Sequence, residues 1–174
     1  MLEHLGPDNW ESRSVGEKDS FIQEMKNFLS NKNLHEFLET KNLFLDIKLH
    51  RNFSCYSGLF NKLHPRIQTI DKANPHEYLI AISDISSYMF DFVFYGIPIV
   101  RFIPDLEKIK AGLHSYREFY CPEDKVGVIC LNPESALKNI KEIYKNGCKA
   151  NYDRNALLIE NINNSCENIY EALN

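Results

Sequence analysis

A chain of 174 residues is long enough to close one hydrophobic core, and 44% apolar with 25% charged residues is the balance of an ordinary globular domain. A formal net charge of −4 excludes a chain built mainly to bind DNA or RNA, although a local basic patch can still hold phosphate. Five cysteines, at 55, 121, 130, 148 and 166, are odd in number and widely spaced, with no CxxC pair and no Cys/His grouping. That pattern reads as reduced thiols, not as a disulfide framework or a zinc site.

Residues 1–16 carry Gly6, Pro7 and Gly16 without periodicity and lack the apolar segment of a signal peptide. They read as a tail or truncated linker ahead of a cytoplasmic domain over 17–174. From Asp19 the apolar residues Phe21, Ile22, Met25, Phe28 and Leu29 mark one face of a helix, capped at Asp19 or Ser20, and a short helix follows at Leu34–Leu38. The alternation of Leu43, Leu45, Ile47 and Leu49 predicts a strand over 42–50, with Phe44 on its other face. A short helix around Tyr56–Leu63 and a strand at Ile67–Ile70 come next, and Pro75 opens one or two helical turns.

Ala81–Asp84 reads as a short buried strand ending in a polar turn, and Ser87–Tyr95 as a helix. Ile97–Phe102 is a strand whose Pro98 sits near its start, where a missing donor is tolerated. No run here approaches the about 18 apolar residues of a transmembrane helix: the richest stretch, Tyr88 to Ile103, is broken by Asp91, Gly96, Pro98 and Arg101. Val126–Leu131 is a further strand. Asn132-Pro133 caps a helix running to Gly147, and Leu157, Leu158, Ile162, Cys166, Ile169, Tyr170 and Leu173 form the stripe of a last one. Short apolar strands alternating with helices predict an α/β fold with a parallel sheet covered on both faces. Ligands of such sheets bind at the carboxyl ends of the strands.

Two strand ends carry chemistry. After the first come His50 and Arg51, an acid or phosphate-neutralising group and a forked phosphate donor, or simply a surface pair. At the second, a strand runs into Asp84, turns at Ser86 and Ser87 and enters a helix. Amides and hydroxyls there suit an anion, while serine is equally a common helix cap. Asp91 lies one turn later between Phe90 and Phe92, a setting in which a carboxylate usually needs a partner. No metal spacing is visible among the histidines, and those at 4, 35, 64 and 76 read as surface or loop residues.

The segment ISDISSYMFDFVFYGIPIVRFIPDLEKI, with Asp, Ser-Ser, Phe-Asp-Phe, a Pro-led strand and Asp105 in order, resembles the signature of the CDP-glycerol glycerophosphotransferase family. FLDIKLHRNF upstream is similar to that family's strand followed by a histidine, and NGCKANYDRNALLIENINNSCENIYEAL to its ending, so the resemblance covers about residues 20–174. Three departures stand out. An aromatic residue before the serine pair is Ile85 here, the usual Lys-Pro is Ile97-Pro98, and a Gly-rich segment is reduced to Asp124-Lys125-Val126-Gly127.

The resemblance implies the C-terminal, Rossmann-like half of a GT-B transferase that builds teichoic-acid-like or capsular polymers. It would bind a CDP-linked donor such as CDP-glycerol and need no metal or other cofactor. It implies His50 as the catalytic residue at the donor phosphates, with Ser86, Ser87 and Arg51 binding the diphosphate. Asp84, Asp91 and Asp105 would support the donor, as would, by a looser match, His114 and Arg117. The polymer acceptor would be held by an N-terminal domain that this chain does not contain, in a protein that can sit peripherally at the inner face of the membrane. Two alternatives stay open: a nucleotide-sugar glycosyltransferase domain, and a non-catalytic remnant or scaffold.

Overall fold

Asn31, an acceptor at the start of an amphipathic run, separates the first two helices. Helix α1 covers Val15–Leu29 and begins ahead of the expected cap at Asp19. Helix α2 covers Lys32–Thr40, and the Asn31 side chain accepts the Asn33 N–H at 2.9 Å. It ends in a doubled turn, with Leu43 N–H on Leu38 O at 2.8 Å and Asn42 N–H on Glu39 O at 3.1 Å. Asn42 adopts the left-handed φ of 54° that this turn requires.

The computed structural model describes residues 15–49, 57–60, 62–84, 86–108 and 126–153. After α2 the order is β1 (Leu45–Lys48), α3 (Ser57–Phe60), β2 (Ile67–Ile70), a single 3₁₀ turn (Pro75–Glu77), β3 (Ala81–Ser83) and α4 (Met89–Phe94). Then come β4 (Ile99–Phe102), α5 (Leu106–Lys108), β5 (Val128–Cys130) and α6 (Pro133–Lys145). The first strand is shorter than its apolar alternation predicts. Phe44 stands 64% exposed outside the ladder, which opens only where Leu45 N–H meets Arg66 O at 2.8 Å. The tail over 1–14 and the apolar stripe beyond 153 lie outside the described residues.

The architecture is mixed α/β, and every strand pairing is parallel. One continuous sheet is the sequence expectation; the strands instead form two, β1–β2 and β3–β4–β5. Strands of three and four residues leave the junction between β1 and β3 to side chains. Strand β4 is central and entirely buried, its residues alternating between two cores. Val100 and Phe102 join the larger one with Phe28 and Leu29 of α1, Leu34, Phe37 and Leu38 of α2, Ile47 of β1 and Ile67 of β2, together with the α6 stripe Ala136, Leu137, Ile140 and Ile143. Ile99 joins the smaller core with Ala81, Met89, Phe92, Val93 and Val126. Each large apolar side chain so buried stabilises the fold by about 1.5–3 kcal/mol.

Helix α6 follows its local signals closely. Asn132 accepts the Ser135 N–H at 2.8 Å, the Ser135 hydroxyl answers the Asn132 N–H at 3.4 Å, and Pro133 occupies the first turn. Among the described residues Cys130 and Cys148 are free thiols; Cys55, Cys121 and Cys166 lie outside them. Among the described residues no helix is long and apolar enough to cross a membrane.

Candidate functional site

The carboxyl end of β3 opens into a turn held by its own side chains. Asp84 accepts the Ser86 N–H at 2.8 Å, and Ser86 Oγ accepts the Tyr88 N–H at 3.3 Å. The carbonyls of Ser86 and Ser87 accept the N–H groups of Met89 at 3.2 Å and Phe90 at 3.0 Å. Most amides of the expected anion cradle are therefore already engaged, because short polar side chains and carbonyls close the turn locally. Helix α4 is also only six residues long, so its dipole adds little. Both serines are exposed, so what the turn offers to solvent is chiefly their side chains.

Asp84 is only partly exposed. Burial raises its pKa above the ordinary carboxylate value, the Ser86 N–H pulls the other way, and the charge of Asp105 adds to the rise. The carboxylates after β3 and β4 are thus near enough to repel. Asp105 Oδ1 is buried and has no hydrogen-bond partner among the described residues. Asp91 is exposed on α4, so solvent satisfies its carboxylate and no protein partner is required. His50, Arg51, His114 and Arg117 lie outside the described residues.

The structure adds residues that local pattern did not single out. Asp46 and Lys48 occupy the same side of β1, alternating with the buried Ile47. Asp46 Oδ1 accepts from Gln68 at 2.8 Å and Asp46 Oδ2 from the Tyr78 hydroxyl at 2.8 Å. The Lys48 ammonium lies 4.2 Å from the centre of the Tyr88 ring. Both tyrosines pack edge-on against Phe92, at 5.9 and 5.6 Å. This seam brings the carboxyl end of β1 to the serine turn after β3, the two strand ends that carry the sequence motifs. Its signal was present: two polar residues at i and i+2 on a strand whose other side is wholly apolar.

Arg101 is the other addition. Fully buried in β4, it lies in register with Ser83 on β3 and Ile129 on β5. A cation in the apolar run IPIVRFI was the visible mark, since arginine is rarely buried outright. Of the histidines read as surface or loop residues, His76 is exposed and His4 lies outside the described residues, whereas His35 and His64 are partly buried. His35 and His64 stack at 4.3 Å, and the His64 side chain is 11% exposed while bonding Glu39 at 3.1 Å.

The Tyr78 phenol is pushed up from the ordinary 10.0 to about 12 by burial, by its hydrogen bond to Asp46 and by that carboxylate's charge. A raised pKa means the folded state holds the proton more tightly. The stabilisation is complete below pH 10 and is lost as pH rises through about 12. Burial also raises the Tyr88 phenol, so ultraviolet difference titration is expected to show more than one tyrosine ionising late, with Tyr78→Phe removing one phenol's amplitude from the step near pH 12. An unchanged amplitude near pH 12 in Tyr78→Phe would show that another phenol carries that step.

Among the described residues no group of three His, Cys, Asp or Glu side chains is placed to hold a metal ion. No protein-family model, no curated protein and no solved structure matches the chain.

Proposed function

We propose that the chain is the nucleotide-donor-binding unit of a transferase that moves glycerol phosphate, or a similar polyol phosphate, from a CDP-linked donor to a cell-surface polymer. On this reading the two parallel sheets belong to a Rossmann-like, C-terminal half of a GT-B enzyme. One observation carries it: an exposed Ser86–Ser87 pair at the carboxyl end of β3, held in a fixed turn by Asp84. Open parallel sheets place their ligands at that end. The motif resemblance assigns the same two serines to the donor diphosphate.

The reaction is a displacement at phosphorus. An acceptor hydroxyl forms the new P–O bond, the bond to the CMP oxygen breaks, the hydroxyl proton passes to a base, and CMP departs with the bonding pair. Ser86 and Ser87 would donate to the diphosphate, and preorganised donors of this kind are worth most where charge develops. His50 is the proposed catalytic group, with Arg51 beside it. Asp84 and Asp105 would line the donor site, and the exposed Asp91 would meet a ligand hydroxyl. The acceptor would be supplied by a domain outside this chain.

Calorimetry of the chain against CDP, UDP and GDP tests the reading. CDP is expected to bind in preference to the other two. Ser86→Ala/Ser87→Ala is expected to weaken it at least tenfold, the loss of one or two hydrogen bonds to a charged group. Preference for UDP would favour the nucleotide-sugar alternative. Indifference to all three would leave a scaffold.

A further inference from the structure

Lys48 ends β1, and its ammonium lies against the side chain that follows the Ser86–Ser87 pair in the chain. No carboxylate among the described residues forms an ion pair with it. Asp46, two residues back on the same side of the strand, has one oxygen committed to Gln68 and the other to Tyr78. The Lys48 ammonium instead rests 4.2 Å from the Tyr88 ring centre. That ring is held at both ends. Its hydroxyl donates to Ala73 O at 2.8 Å, and its edge packs on Phe92 at 5.6 Å. Tyr88 directly follows Ser87, so the shelf that carries the ammonium is continuous with the serine turn.

An ammonium has three donors and no acceptor. A ring face attracts the cation through its quadrupole and satisfies no more than part of that set. Lys48 is exposed, so the remaining N–H groups point to solvent and not into the core. A flexible four-carbon stem would ordinarily let such a charge wander, and the rigid ring restricts it to one side of the β1–β3 junction.

We infer that Lys48 is an anion-binding residue of the donor site, neutralising the diphosphate held at Ser86 and Ser87, and that Tyr88 is its positioning residue. This rests on the function proposed above and adds a selectivity to it. The Lys48 contribution is electrostatic, so it acts on the phosphates and not on the nucleoside. It would let the site prefer a nucleoside diphosphate over the corresponding nucleoside. Ring and cation act together: with the ring gone, the ammonium keeps its charge and loses its place.

The test is calorimetry of the full chain with CDP and with cytidine, each at low and high salt. Lys48→Gln is expected to weaken CDP about tenfold or more, to leave cytidine unchanged, and to flatten the salt dependence of CDP binding. Lys48→Arg is expected to restore most of the affinity. Tyr88→Phe keeps the ring and is expected to keep the CDP-over-cytidine preference, whereas Tyr88→Leu is expected to lose part of it. If the wild type binds CDP and Lys48→Gln binds it equally well with the same salt dependence, this inference is overturned and the donor reading stands. If the wild type binds neither ligand, both fall together. Melting curves of Lys48→Gln and Tyr88→Leu, expected to stay cooperative, separate lost binding from lost folding.

Discussion

Gly127→Ala is expected to destabilise the chain by about 2–5 kcal/mol and to loosen β5 from β4. Gly127 immediately precedes β5 and has φ +71°, a left-handed conformation in which an L side chain crowds its own carbonyl. Conformation is the smaller part of the cost. A β-carbon at this position would overlap the carbonyl oxygen of Ile99 and stand 3.0 Å from the carbonyl carbon and 3.1 Å from Cβ of that residue. Ile99 is fully buried in the central strand, so neither its backbone nor its side chain can retreat without opening the smaller core. Gly147 is the internal control. It has φ +78° at the end of α6, yet nothing lies within 4 Å of the place its β-carbon would take. Gly147→Ala should therefore cost about 1–2 kcal/mol, the conformational part alone. Urea unfolding midpoints of the two variants decide the matter. Equal losses would show that the close approach of Gly127 to β4 is not a constraint.

The second large effect falls on the same peptide from another direction. Asn151 Oδ1 accepts the Ile99 N–H at 3.0 Å, and Asn151 Nδ2 donates to the Ile99 carbonyl at 2.8 Å. One side-chain amide thus replaces a neighbouring strand at the entrance to β4, where β5 has not yet begun. Tyr152 adds a bond from its hydroxyl to Ile97 O at 2.7 Å. Asn151→Ala leaves a buried donor and a buried acceptor unpaired, each worth about 1–3 kcal/mol, so a loss of about 2–5 kcal/mol is expected. Asn151→Asp should be no milder, because a carboxylate oxygen would then face the Ile99 carbonyl oxygen. Amide hydrogen exchange gives a direct reading: the Ile99 N–H should lose its protection in both variants. Unchanged protection together with unchanged stability would mean that the clamp contributes nothing. Strand β4 also carries the buried Arg101 and leads into Asp105, so loosening its first residue disturbs the strand that positions both.

How much was legible beforehand follows from the range of the signals. Strand β2 has the limits the sequence suggests, Ile67–Ile70, and α6 begins where Asn132-Pro133 says it should. Both are set by neighbours in the chain. Three features were not legible because their causes are remote in sequence. Asn151 reaches a peptide 52 positions away, the break between the sheets depends on how short the strands are, and the burial of Arg101 depends on β3 and β5 flanking it. Helix α5 was passed over because a turn of three residues has no period to detect. Within the site, Ser86, Ser87 and Asp84 were visible as a strand-end turn. The engagement of most of its amides was not, since that depends on how Asp84 and Ser86 bend back on their own backbone. Lys48 lay within the first strand-end motif, but its partner Tyr88 is in the second, and only the folded chain puts the two in contact.

The split between the sheets has a mechanical meaning. Across β1 and β3 the described residues share no backbone hydrogen bonds; Tyr78 on Asp46 and Lys48 on Tyr88 span the gap instead. A ladder resists shear with many bonds acting in concert, whereas side chains yield one rotamer at a time. The serine turn therefore sits beside a joint that, among the described residues, has side chains and no ladder across it, and the width of that gap is a dimension that heat, denaturant or an occupying ligand would alter before either ladder opens.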